Sequence, residues 1–278
     1  MSIINAIILG IVQGLAEFLP VSSSGHLVLL QKITGISESA LFFNTMVHAG
    51  TLLAVFIVLR KDILALLRKP IQPLTGFLIL ATIPAVIAAL LFGDFIEHAF
   101  ETGHFLGFSF LATSFLLCTA ELLSRRAQAG KNLVKTMSWY DALIIGIMQA
   151  IAIIPGVSRS GATISGALSR RLDRDYAARF SFLLSIPAIL GALVLQLKDL
   201  VTGGPVLDGP AAAGPTSVGS IGAAAVIAGT LSAAIVGFFA IRLMLKIVRE
   251  RSLFGFAIYT AVLGTLIIID QFGTRLVF

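Results

Sequence analysis

Apolar residues run along this chain in long blocks rather than in strand-like alternation. Six blocks are long enough, or nearly so, to cross a hydrocarbon core of roughly 30 Å: Leu41 to Leu59, Leu74 to Phe92, Phe105 to Leu123, Phe180 to Leu197, Val218 to Ile241 and Leu253 to Ile269. Two further blocks fall short. Ile3 to Leu19 carries Gln13 and Glu17 and stops at Pro20, and Ala142 to Ile154 carries Gln149 and stops at Pro155. A clean stretch of about 13 residues rises only about 20 Å as a helix, so each is expected to enter the membrane, break and return on the side it came from. The pattern therefore predicts two re-entrant helix hairpins, at residues 3–32 and 139–169. Non-helical backbone at membrane depth is tolerated only where protein buries it or it lines a wet cavity, which makes both hairpin loops candidate sites.

Composition agrees. The chain is 57% apolar and only 12% charged, against about 25% charged in ordinary soluble domains, so it reads as an all-α polytopic membrane protein. Its net charge of +6 is a matter of placement. Arg60, Lys61, Arg68 and Lys69 follow the first long block; Arg125, Arg126, Lys131 and Lys135 follow the third; Arg170, Arg171, Arg174 and Arg179 precede the fourth; Arg242, Lys246, Arg249 and Arg251 follow the fifth. These four loops hold 16 of the 20 Lys and Arg residues, which predicts that they are cytoplasmic and that both termini lie on the opposite side. That arrangement removes nucleic acid as a partner. Met1 to Gly10 lacks a basic n-region and a cleavage site, so the N-terminus is expected to be retained. Cys118, the single cysteine, sits in an apolar block and reads as a small buried hydrophobe.

The two short blocks also resemble each other. Gly10 to Gly25 (GIVQGLAEFLPVSSSG) and Gly146 to Gly161 (GIMQAIAIIPGVSRSG) share 8 identities in 16 positions at a constant offset of 136, where composition alone gives roughly one or two. LRKDI at Leu59 to Ile63 returns as QLKDL at Gln196 to Leu200. The chain reads as a duplication of residues 1–136 in 137–278, each half one re-entrant hairpin plus three spanning helices. Three is odd, so the second half is expected upside down: an inverted-topology repeat with its ligand site near the midplane. The stretch Gly203 to Gly214 has no counterpart and reads as an extracytoplasmic loop.

The chemistry lies in the two loops. Gln13 and Glu17 share a helix face, and a carboxylate at membrane depth is costly enough to be a functional candidate. Ser22, Ser23, Ser24, Gly25 and His26 follow Pro20 and offer hydroxyl and amide donors to an anion; Ser23 is a candidate nucleophile and His26 the local imidazole. In the second loop, Arg159 stands between Ser158 and Ser160, and its planar fork suits phosphate oxygens. The plainer partner for Arg159 is Glu17, as an ion pair, and the two roles are compatible. An acid or base, a nucleophile, an imidazole and a phosphate clamp together equip a site for phosphoryl transfer. His48, His98 and His104 lack ligand spacing and read as incidental, and Asp94, Glu97 and Glu101 read as a solvated loop face.

QGLAEFLPVSSSGH (Gln13 to His26) and PGVSRSGAT resemble the two signatures of the bacterial undecaprenyl pyrophosphate phosphatases, the bacitracin-resistance family, and the resemblance covers essentially the whole chain. It implies hydrolysis of undecaprenyl diphosphate to the monophosphate and inorganic phosphate in the bacterial inner membrane, recycling a carrier lipid for peptidoglycan synthesis, with the site opening to the periplasmic side. By position it assigns catalysis to Glu17, Ser23, His26 and Arg159, and substrate contacts to Gln13, Ser22, Ser24, Ser158, Ser160 and Thr163. It also implies Mg2+ or Ca2+, with Glu17 as the metal ligand. Gln13 stands where the family also uses glutamate, and an amide is a poorer cation ligand and no base. The expected partners are the diphosphate and membrane lipid, with a homodimer as a compatible assembly. Ser23 attack and direct water attack both remain open. A polyprenyl-phosphate transporter or flippase is the alternative from another class, because inverted repeats with broken helices are common in transporters.

Overall fold

The computed structural model describes residues 1–34, 40–129, 136–202 and 222–277. The expectations for Lys131, Lys135 and Gly203 to Gly214, and for the side chains of Asp94, Glu97 and Glu101, lie outside the described residues. All regular elements among those described are helical: α1 (Ile3–Ala16), α2 (Ser23–Thr34), α3 (Ala40–Val58), α4 (Arg60–Arg68), α5 (Pro73–Thr102), α6 (Leu106–Ala129), α7 (Trp139–Ile151), α8 (Arg159–Ser169), α9 (Arg174–Thr202), α10 (Ala223–Glu250) and α11 (Phe254–Ile269), with a short π-helical turn at Asp270–Thr274. Among the described residues, five helices are long and apolar enough to cross a membrane, and six if α3 and α4 count as one bent span. Large apolar side chains such as Ile4, Leu90, Phe115, Ile258 and Phe239 are exposed, the outward surface of a chain solvated by lipid.

Several boundaries differ from the sequence expectation: α9 already starts at Arg174 and α10 runs on to Glu250, so basic residues read as loop lie on helix ends. The segment 93–104 was expected as a loop, yet α5 continues to Thr102 and ends at Gly103, whose φ of 65° caps it in the left-handed region. The only interruption is a local kink at Phe92 (φ −121°, ψ 18°), because nothing in the following residues forbids helix. The basic stretch after the first long block is not a loop either. It forms α4, which leaves α3 at 77°.

Small residues let the helices approach. On Gly10 of α1, an added Cβ would lie 2.2 Å from the carbonyl oxygen of Gly229 in α10; on Gly146 of α7 it would lie 2.7 Å from that of Ala81 in α5. Gly10 and Gly146 are repeat-related positions, and each seats a short helix against a long one.

The described parts of the four basic segments gather at one end of the bundle. Arg174, at the start of α9, bonds Glu121 of α6 at 2.9 Å and the carbonyls of Val248 and Arg251 at 2.6 and 2.9 Å. The N–H of Leu253 also donates to Glu121. Arg170 pairs with the buried Asp141 at 2.8 Å, and Arg179 with Asp62 at 3.2 Å. The charge that reads as a topology signal thus also locks α4, α6, α7, α8, α9, α10 and α11 together.

Candidate active site

α1 stops where Pro20 denies the helix a donor, and its C-cap residue is Glu17. The turn that follows passes through Ser22, held at φ 71°, and α2 begins at Ser23. α7 stops in the same way ahead of Pro155, Gly156 takes φ 89°, and α8 begins at Arg159 with Ser158 as its N-cap. The two turns carry the same internal bonds: Ser22 Oγ accepts the N–H of Gly25 at 3.2 Å, and Ser158 Oγ that of Gly161 at 3.0 Å. They are also stitched to each other. The N–H of Gly156 donates to Ser24 Oγ at 3.4 Å, and Ser160 Oγ donates to the carbonyl of Leu19 at 3.1 Å.

Where the turns meet, four groups converge on one carboxylate. Glu17 Oε1 pairs with Arg159 Nη2. Glu17 Oε2 accepts from Ser23 Oγ at 2.6 Å and from Gln13 Nε2 at 2.9 Å, and His48 Nε2 stands 3.5 Å away. The Glu17 side chain is 3% exposed and that of Arg159 20%. Arg159 Nη1 and Gln13 Oε1 are buried without a hydrogen-bond partner. The guanidinium thus has one arm on the carboxylate and one arm unused.

His26 does not serve Ser23. Its Nδ1 bonds the Ser22 carbonyl at 2.7 Å, which places the proton on Nδ1 and leaves Nε2 to accept from the hydroxyl of Tyr259, also at 2.7 Å. Its ring stacks on Tyr259 and meets the edge of Phe110. The base beside Ser23 is therefore Glu17. The Thr163 hydroxyl is likewise engaged within the protein: it bonds the Arg159 carbonyl at 2.8 Å and Ser181 at 2.6 Å, so it fixes the first turn of α8. Ser158, whose N–H donates to Thr113 Oγ1 at 3.0 Å, anchors the same turn.

His48, set aside as incidental on spacing, lies beside Glu17. Asn44, His48 and Thr51 form an i, i+4, i+7 polar stripe in an otherwise apolar block, the signal that could have found it. Tyr259 carries no such signal, since a tyrosine in a spanning helix reads as packing or as an interface anchor. His98 and His104 are not brought to the site.

For a cation, the fit is partial. Among the described residues no group of three or more His, Cys, Asp or Glu side chains stands in ligating geometry. Glu17 and the unpartnered amide oxygen of Gln13 near it are the oxygens that would hold a divalent cation here. A preformed protein cage is not present among these residues.

The sequence model of the bacitracin resistance protein BacA matches residues 6–266. An undecaprenyl-diphosphatase of Carboxydothermus hydrogenoformans is 46% identical over 271 residues, covering 98% of both chains. Undecaprenyl-diphosphatase 3 of Bacillus cereus is 45% identical over 272 residues, again with 98% of each chain covered. An undecaprenyl-diphosphatase of Halothermothrix orenii is 40% identical over 271 residues, 97% of this chain and 98% of its own.

Proposed function

The chain belongs to the bacitracin resistance protein BacA family, and from that premise we infer that it is a multi-pass membrane enzyme that hydrolyses undecaprenyl diphosphate to undecaprenyl phosphate and inorganic phosphate. This activity recycles a carrier lipid for cell-wall synthesis and accounts for the family's bacitracin resistance. A transporter or flippase is not favoured, because the relatives are named as diphosphatases. The observation that carries the chemistry is Arg159, paired with Glu17 on one arm and buried without a partner on the other. Such a fork suits phosphate oxygens.

In the mechanism we assign, the terminal phosphate takes the free arm of Arg159 and draws the other from Glu17. Glu17 accepts the Ser23 proton while Oγ bonds to the terminal phosphorus. The anhydride P–O bond breaks, and undecaprenyl phosphate leaves. His26, the other titratable group of the first loop, takes up a proton from solvent at Nε2, where it otherwise accepts from the Tyr259 hydroxyl, and supplies it to the departing oxygen. Once Glu17 has shed its proton, it deprotonates a water that attacks the phosphoserine, then returns the proton to Ser23 Oγ as phosphate leaves. Gln13 orients Glu17, while Ser22, Ser24, Ser158, Ser160 and Thr163 hold the two turns in position. A divalent cation at Glu17 would neutralise charge on the diphosphate.

The repeat supports an inverted-topology reading of residues 1–136 and 137–278. α1 of the first half packs on α10 of the second, while α7 of the second packs on α5 of the first. Ser23 and Arg159 hold equivalent positions, so one ancestral turn now supplies nucleophile and clamp. We place the basic end in the cytoplasm of a bacterial inner-membrane protein, with both termini and the site opening on the periplasmic side. A homodimer is an assembly to be checked by mass measurement in detergent.

Phosphate release from undecaprenyl diphosphate in detergent, with and without EDTA, tests the reading in wild type, Arg159→Ala and Glu17→Ala. Release by wild type that both substitutions abolish supports it, and loss on chelation supports the cation. Folded wild type that releases no phosphate would overturn it.

A further inference from the structure

The basic end of the bundle holds a concave pocket that the reaction does not use. Its volume is about 300 Å³, and Arg179 of α9, Arg242, Lys246 and Arg249 of α10, and the apolar Leu59 and Leu245 line it, with Val58 and one carboxylate, Asp175. Arg242, Lys246 and Arg249 stand at i, i+4 and i+7 on one face of α10, and all three are exposed. Like charges at this spacing repel. Asp175 is taken by Arg179 at 2.7 Å, and Arg249 pairs with Glu250 at 2.8 Å. Arg242 lies over the Phe238 ring at 5.4 Å. Among the described residues neither Arg242 nor Lys246 makes an ion pair, so the pocket holds cationic charge without a counter-ion.

Its depth fits a lipid headgroup. At 28 residues, α10 rises about 42 Å, some 12 Å more than the hydrocarbon core, so its last two turns stand at headgroup level. α4, turned 77° from α3, runs along that surface with Arg60, Lys61 and Arg68 beside the exposed Leu64 and Leu67, the make-up of an interfacial helix. Phe239 and Leu243, exposed on α10, continue the stripe toward the membrane centre. Val58 lies ten residues along α3 from His48, about 15 Å of helix rise from the Glu17 cluster. The pocket is therefore a separate site.

We propose that this pocket binds the headgroup of an anionic phospholipid from the adjoining leaflet, its phosphate between Arg242 and Lys246 and its acyl chains along Phe239 and Leu243. Basic pockets between spanning helices are suited to such headgroups. Because Arg179 also holds Asp62 of α4, an occupied pocket braces α4 against the bundle.

The test is native mass spectrometry of the detergent-purified full chain with added phosphatidylglycerol, phosphatidylethanolamine or inorganic phosphate. Wild type is expected to retain one phosphatidylglycerol per chain and to hold phosphatidylethanolamine about tenfold more weakly. The triple substitution Arg242→Gln, Lys246→Gln, Arg249→Gln should lower phosphatidylglycerol retention about tenfold or more. The charge-keeping pair Arg242→Lys, Arg249→Lys should preserve it, which separates lost charge from lost fold. Equal retention by wild type and the triple variant would overturn the proposal. Displacement of the lipid by equimolar inorganic phosphate would also overturn it, by assigning the pocket to free phosphate.

Discussion

Glu17 and Arg159 are 142 positions apart in sequence, one on each hairpin turn, and they form a single ion pair in which the carboxylate is almost fully buried. Neither hairpin alone satisfies its own charge, so the pair enforces the meeting of the two turns and poises both groups for an incoming diphosphate. Arg159→Lys should fail even though the charge is kept. A lysine ammonium is a point charge without the planar fork that grips two phosphate oxygens at once. We expect turnover to fall by about 100-fold or more, with little change in thermal stability, measured as phosphate release beside a melting curve.

Ser23 and Glu17 should act as a unit, because the 2.6 Å bond between them makes each useless to attack without the other. Ser23→Ala and Glu17→Gln should each cost about 100-fold or more in kcat, and the double variant should be no worse than the poorer single one. Additive losses in steady-state phosphate release would separate the two roles. Labelled phosphate trapped on wild type and absent from Ser23→Ala would establish the phosphoserine, whereas turnover largely surviving in Ser23→Ala would point to direct water attack.

Tyr259 acts through His26. Tyr259→Phe keeps the stacked ring but removes the hydroxyl 2.7 Å from Nε2. The expected result is a kcat lower by roughly tenfold with KM unchanged, since the tyrosine orients the imidazole rather than the substrate. A rise in KM at constant kcat would move Tyr259 into the binding surface instead.

Most of the helical order and both loops were legible in the sequence because lipid imposes a strong code: a spanning helix must be apolar over a set length, and a polar or broken block within it is conspicuous. The end of α5 was not legible, since Gly93 to Thr102 is polar enough for a loop, yet past Gly93 it holds neither glycine nor proline to break a helix. His48 was missed because its partner is 31 residues away in sequence on another helix, and Tyr259 because its partner is 233 positions away. That His26 bonds Tyr259 rather than Ser23 was not legible for a related reason. Nearness in sequence says nothing about which way a ring faces once α2 has turned it toward α11.

The buried ion pairs of the basic end make a stability prediction independent of catalysis. Glu121, 2% exposed, takes bonds from Arg174, Arg125 and the Leu253 N–H. Glu121→Ala leaves the Arg174 guanidinium, 14% exposed, without its carboxylate, at a cost of roughly 3–5 kcal/mol. A clear fall in melting temperature in detergent is expected, with a smaller fall for Glu121→Gln, which keeps part of the bonding.

The repeat-related glycines separate packing from propensity. Gly10→Ala puts a methyl carbon 2.2 Å from the Gly229 carbonyl oxygen, and Gly146→Ala puts one 2.7 Å from that of Ala81. Both obstacles are backbone, which cannot rotate aside, so α1 must move off α10, or α7 off α5. Each change should destabilise by about 1–3 kcal/mol, with Gly10 the worse of the two. Because α1 and α7 carry Glu17 and the second turn to their meeting point, activity should drop along with the melting temperature. Gly191→Ala in α9 is the control: a Cβ there meets nothing within 4 Å, and alanine is the better helix former by about 0.5–1 kcal/mol. Its melting temperature should hold or rise. If all three alanines behaved alike, the close crossings of α1 on α10 and α7 on α5 would not be what seats the two hairpins.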